Sequence, residues 1–154
     1  MIDIFYKEKL TARLMIDYLL ELTADIQEDL FHSQLIKDSI SPAWVLGHLC
    51  LETVKTAASI NIQLTLDPEW EEYFCQGSSA KDVPKELTKE ILRSTFSSTL
   101  DEFIYGLEKV DTEKLTQKNH SKALASYLPE LQHDVSHVIT THLAIHAGQI
   151  GMWR

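Results

Sequence analysis

Between Leu131 and Trp153 the chain reads LQHDVSHVITTHLAIHAGQIGMW, with no glycine, proline or charged side chain from Val135 to Ala147. At about 100° per residue, an α-helix here gathers Leu131, Val135, Val138, Ile139, Ile145, His146, Gln149 and Trp153 within about 60° of His142. His142 and His146 therefore sit one turn apart on an apolar stripe, their imidazoles side by side and facing the core. His133 and His137 share the four-residue spacing but fall about 140° to 180° away, a phase that assigns them to solvent or to a subunit contact. Opposite the inward histidines lie Ala144, Ala147, Gly148 and Gly151. Glycine costs about 1 kcal/mol in a helix, so this strip suggests close backbone approach by another helix or by a second subunit, as in a homodimer.

Working towards the N-terminus, the pattern remains helical. Leu92, Phe96, Leu100, Phe103, Leu107 and Val110 recur in steps of three and four, the mark of an amphipathic helix, and Pro84 is expected to open it. Ser41-Pro42 supplies a hydroxyl N-cap with proline at the first helical position, starting a helix expected to reach about Leu64. A first helix is expected from Ile4 to Leu30, with Ile4, Thr11, Leu14, Met15, Tyr18, Leu19, Leu22 and Ile26 on one side. No alternating strand pattern and no internal repeat stands out. The fold class expected is all-α, a four-helix bundle forming one domain over residues 1–154. The connection from Asp67 to Pro84, about 17 residues, is long enough to cross the bundle, which favours up-down-down-up over simple alternation. Asp111 to Lys122 reads as a polar loop.

Composition narrows the function. Fourteen Lys and Arg stand against 23 Asp and Glu, a net charge of −9 with no basic cluster. Such a field repels nucleic acid and anionic membranes. No apolar run has the length of a membrane span, and the charged start lacks the features of a signal peptide. A cytoplasmic location with Cys50 and Cys75 as free thiols is expected.

On the second helix, the same wheel puts Trp44, Val45, Leu51, Glu52 and Ile62 on the side of His48, so a third imidazole looks inward. Each buried imidazole carries two polar nitrogens that need partners. A metal ion satisfies one nitrogen of each, and three histidines with an open position form a site suited to catalysis. The alternative is a hydrogen-bonded histidine core without metal, and the pattern by itself leaves both open.

Two stretches resemble a known family. Ser41-Pro-Ala-Trp-Val-Leu-Gly-His48-Leu49 resembles the second-helix motif of the DinB-like (DinB/YfiT) metalloenzyme superfamily, and His142-Leu-Ala-Ile-His146-Ala-Gly-Gln149-Ile150 resembles its last-helix motif. Trp70 to Ser78 is similar to the segment many members carry between helices two and three. The resemblance implies an up-down-down-up bundle and a divalent metal (Zn, Ni, Fe or Mn) on His48, His142 and His146. Several branches use a low-molecular-weight thiol, as S-transferases or a thiol-dependent isomerase. This chain stops at Trp153-Arg154, where similar proteins often continue. The family name points to DNA damage, but the acidic charge argues against DNA binding.

The function expected is a metal-dependent S-transferase joining a small thiol to a small electrophilic substrate. A metal-assisted hydrolase is the enzymatic alternative, and a non-catalytic metal-dependent ligand-binding protein the other. Glu52 and Gln149 are the candidate catalytic residues. Glu52 either orients a ligand imidazole or serves as a base, or else simply pairs with Lys55; Gln149 either contacts substrate or braces helices. Trp44 and Tyr18 are candidates for the pocket wall, with plain core packing as the alternative. Cys50 falls about 200° from His48 on the wheel and cannot join the site. HLAIH lacks the glutamate of H-E-x-x-H, which excludes a zincin protease. Trp70, Tyr73 and Phe74 either border the substrate site or cover the end of the core.

Overall fold

The computed structural model describes residues 3–154, and every regular element among them is helical. Helix α1 runs Tyr6–Ala24, α2 Glu28–Phe31, α3 Pro42–Ser59, α4 Trp70–Phe74, α5 Lys89–Gly106, α6 Thr112–Leu115 and α7 Leu131–His137. A single π-helical turn, Val138–His142, joins α7 to α8, Leu143–Trp153. No helix among the described residues is long and apolar enough to cross a membrane.

The all-α class is as expected, but the helices are shorter and more numerous than four. The first stops at Ala24, and extended backbone at Gln27 turns the chain into α2. The second stops at Ser59 rather than near Leu64, because Asn61 adopts a left-handed φ of 65° that ends a helix. The third opens at Lys89, not at Pro84. Thr88 is the stronger start signal, its Oγ1 accepting from the Ile91 amide at 3.3 Å, while Pro84 closes a separate turn onto Leu87. Ser41 caps α3 as read, accepting from the Trp44 amide at 3.2 Å.

Burial follows the α5 stripe closely: Leu92, Phe96, Leu100, Phe103 and Leu107 are all buried. The α1 reading needs correction. Its inward face is Ala12, Ile16, Leu19 and Thr23, whereas Leu14 and Tyr18 are 67% and 46% exposed. Tyr6, Leu10, Leu14 and Tyr18 form a second apolar row in steps of four, and that row pulls the apparent stripe off the true interior. On α8, Leu143, His146, Ala147 and Ile150 face inward, while Ile145 and Gln149 are exposed.

Polar contacts tie the ends of the long helices together. Lys9 pairs with Glu108 at 3.3 Å, and Arg93 reaches the Leu20 carbonyl at 2.9 Å, linking α1 to α5. Arg154 pairs with Asp25 at 2.6 Å, so α8 ends beside the end of α1. Thr56 near the end of α3 donates to Asp134 near the start of α7 at 3.2 Å. Past the end of α3, Ile62 packs on Gly106 at the end of α5.

The glycines of α8 make no close approach within the chain. A Cβ at Gly148 or Gly151 would meet nothing within 4 Å. Gly148→Ala is therefore expected to raise stability, by up to about 1 kcal/mol from helix propensity alone. Denaturant unfolding checks this; a loss of stability that grows with protein concentration would show instead that a second subunit packs there.

Candidate metal centre

The site lies between α3 and the π turn with α8. Gly47 permits it: a Cβ there would stand 2.2 to 2.4 Å from ring atoms of Phe74. No other residue admits that ring so close to α3. Seated against Gly47, Phe74 offers its carbonyl oxygen to His48, whose Nδ1 donates to it at 2.8 Å. The bond assigns the proton to Nδ1 and leaves the Nε2 lone pair free. Trp44, one turn earlier, stacks on the His48 ring at 4.6 Å and 9°, and its indole N–H is held by Ser78 at 2.8 Å. Trp44 is thus a wall of the site, whereas Tyr18 stands exposed on α1.

His48, His142 and His146 each bring a ring nitrogen within 4.8 Å of the others'. Their ring centroids lie 4.7 to 5.2 Å apart. His48 and His146 are 1% and 6% exposed, and His142 is half-buried. The Nε2 atoms of His142 and His146 are 3.1 Å apart. Two imidazoles bound tetrahedrally at about 2.0–2.1 Å would hold their nitrogens about 3.3 Å apart. Among the described residues the buried Nδ1 atoms of His142 and His146 have no hydrogen-bond partner, and no carboxylate pairs with any of the three rings. Three neutral imidazoles converging lone pairs on one point fit a divalent cation.

The electrostatics agree with neutral rings. Burial, followed by the neighbouring imidazoles, pushes His142 down to about 3; burial, then His48, pushes His146 down to about 4. Burial also lowers His48, against the opposing pull of the Phe74 carbonyl. In the unfolded chain these residues titrate near about 6.5. The unfolded state thus takes up protons that the native state refuses. Stability of the metal-free protein should be full above about pH 6.5 and fall as pH drops towards 4, by about 1.4 kcal/mol per pH unit for each such histidine. Denaturant unfolding in chelator at pH 7 and pH 5 tests this; equal stability at the two values would mean that the rings are hydrated and free to charge in the native state.

The π turn alters the expected role of His137. Over a turn bonded i to i+5, residues five apart face nearly the same way. The His137 ring accordingly stacks on His142 at 5.6 Å and 26°, and both rings line one cavity with His48. A wheel of unbroken α-helix had turned His137 away. The run Val138-Ile139-Thr140-Thr141, four β-branched residues that crowd an α-helix, is the one sequence signal for this break. His133 does stay outside, its Nδ1 accepting from the Glu130 amide at 3.2 Å.

The cavity measures about 800 Å³ and is bordered by α3, α7 and the segment 114–124. Glu52 lines it but is paired with Lys55 at 3.2 Å and bonds none of the histidines. Gln149 stands beside His146 and favours its charged form only as a minor opposing influence. Asp134 lines the cavity too, a residue that sequence reasoning passed over; burial raises its carboxyl above the usual range, against the Thr56 hydroxyl. Cys50 is buried away from the site, its thiol pushed well up by desolvation, and Cys75 is also free. Trp70 and Phe74 are buried in the core rather than in the cavity wall.

No family model matches the chain, and no curated protein matches it as a relative.

Proposed function

We propose that the chain is a DinB-like single-domain protein, an up-down-down-up four-helix bundle, and a metal-dependent S-transferase joining a small thiol to a small electrophilic substrate. Its two sequence motifs support the family reading. The topology draws support from the pairings at the helix ends. α1 meets α5 start to end, α1 and α8 finish together, α3 meets α7 end to start, and the exit of α3 meets the end of α5.

One observation carries the functional reading: ring nitrogens of His48, His142 and His146 converge to within 4.8 Å of one another, and His48 and His142 also line a cavity of about 800 Å³, a size that suits a small-molecule site. A divalent ion held on His48, His142 and His146 supplies Lewis acidity, which lowers the pKa of a thiol and yields a nucleophile at neutral pH. The chain's own residues do the rest. The Phe74 carbonyl fixes the His48 tautomer, and Trp44 screens the rings on one side. Neither cysteine serves as nucleophile, because Cys50 is buried outside the cavity and Cys75 does not line it. The sulfur therefore arrives on a cosubstrate. It forms a bond to the electrophilic carbon, the leaving group departs with its electron pair, and the thiol proton passes to solvent or to a basic side chain of the cavity.

The test is thiol consumption by protein loaded with zinc, nickel, iron or manganese, using small thiols against alkyl halides and epoxides. Consumption should require the metal and vanish on chelation. Ester hydrolysis without thiol loss would support the metal-assisted hydrolase instead; tight ligand capture with neither reaction would make the protein a metal-dependent binder.

A further inference from the structure

The outer wall of the cavity belongs to the segment that the sequence marks as a polar loop and to the residues just after it, and the two are built as a unit. Their stem is a single antiparallel bridge, Lys118 to Glu130. The Asn119 amide donates there to the Pro129 carbonyl at 2.8 Å, and the Leu131 amide to the Gln117 carbonyl at 2.9 Å. The buried Asn119 side chain braces the base from within, donating to the Leu128 carbonyl and accepting from the Ser121 amide, both at 2.9 Å. Beyond the stem the chain bonds to itself: the Ala125 amide reaches the Ser121 carbonyl at 3.0 Å, and the Leu128 amide the Leu124 carbonyl at 2.8 Å. Ends held together around a self-bonded interior make residues 119–129 an Ω-loop.

The loop has little hold on the helices around it. No residue from 120 to 130 is buried. Among the described residues no hydrogen bond or ion pair joins 120–128 to a helix. Swinging the loop away therefore sacrifices little apolar burial and breaks no bond beyond the stem, the conditions under which a segment opens as a unit. Its inner side nevertheless carries His120, Ser121, Ala123 and Leu124 on the same cavity as His48 and His142, with Lys114 and Lys118 at its approach. The buried Leu131 and Val138 line that cavity too. Helix α3 gives it Glu52, Lys55, Thr56 and Ser59 instead, so the cavity pairs a polar wall with apolar side chains.

We propose that residues 119–129 are a lid, hinged at the Lys118–Glu130 bridge, that closes through Leu124 on the apolar part of a small amphiphilic substrate. The polar head of the substrate meets the metal site, and its alkyl or aryl tail lies against Leu124, Leu131 and Val138. Leu124 is then the specificity-determining residue, carried on a segment that moves as ligand-binding loops do. This rests on the metal-site reading above and names the substrate class for it.

The probes are straight-chain alkyl hydroxamic acids of two to six carbons, whose heads ligate metal ions, titrated into cobalt-loaded protein and followed by cobalt absorption. Affinity should rise about two- to fourfold per methylene as the tail leaves water. In Leu124→Ser that gain should fall towards none, while cobalt content stays unchanged. Backbone amides of 120–128 should exchange hydrogen about tenfold more slowly or less with the six-carbon acid bound, and hardly change with the two-carbon one, because a closed lid seldom opens. Affinity independent of tail length, or a gain that survives in Leu124→Ser, overturns the apolar contact. Exchange in 120–128 that is the same with and without the six-carbon acid overturns the lid. Either result leaves the metal site standing, whereas failure of cobalt to bind overturns the metal reading, and this inference with it.

Discussion

Replacing Phe74 with alanine is expected to lower folding stability by about 3 to 5 kcal/mol, the cost of deleting a buried phenyl ring. The ring is fully buried and packs on Trp70 at 4.9 Å and directly on the Cα of Gly47. Because the same residue supplies the carbonyl that holds His48, affinity for zinc should weaken as well. Gly47→Ala is expected to destabilise through the opposite fault, a methyl group driven into the ring, at about 1 to 3 kcal/mol. The two changes should be strongly non-additive, since a methyl at position 47 meets no ring once Phe74 is gone. Denaturant unfolding of the two single variants and the double variant checks this. Additive losses would mean that Gly47 and Phe74 do not share one space. Thiol binding per folded, metal-loaded molecule should be unaltered in Trp70→Ala, because Trp70 belongs to the core and not to the cavity.

The second large effect falls on His146. Its replacement by alanine should weaken metal binding more than about 100-fold, beyond the 10- to 100-fold that partners behind the ligands usually cost. His133→Ala should leave affinity unchanged, since that ring caps the start of α7. His137 is no such control. Stacked on His142, its loss should keep the bound ion but loosen it. Zinc competition against a chromogenic chelator separates the three; loss of affinity in His133→Ala with full affinity in His146→Ala would reverse the assignment of the two pairs.

His48 was legible because it lies in an unbroken α-helix with its apolar neighbours, and His142 and His146 because no break falls between them. His142 closes the π turn and His146 follows it in α8, so the two keep their one-turn spacing, and His48 sits in α3 behind the Ser41 cap. His137 was misread because the π turn inserts itself between it and His142, and a fixed angle per residue carries no memory of such a change in pitch. The α5 stripe was clear since its opposite face is polar, while α1 carries apolar residues on two rows and only packing decides between them. Lys114, Lys118 and Asp134 could not be placed from sequence: their position on the cavity depends on how the 112–124 segment folds back onto α7. Glycine at 47 was visible as part of a motif, but its reason, the ring of Phe74 twenty-seven residues later, belongs to the tertiary structure alone.

X-ray absorption at the edge of the metal that purifies with the full chain tests the central assignment most directly. Three imidazole nitrogens at about 2.0–2.1 Å, with the multiple-scattering signature of histidine rings and room for a lighter exchangeable ligand, are the expected result for zinc. The same spectrum from His133→Ala should be indistinguishable. A shell dominated by carboxylate oxygen, a shell with fewer than two imidazoles, or the absence of stoichiometric metal after loading would contradict a three-histidine centre.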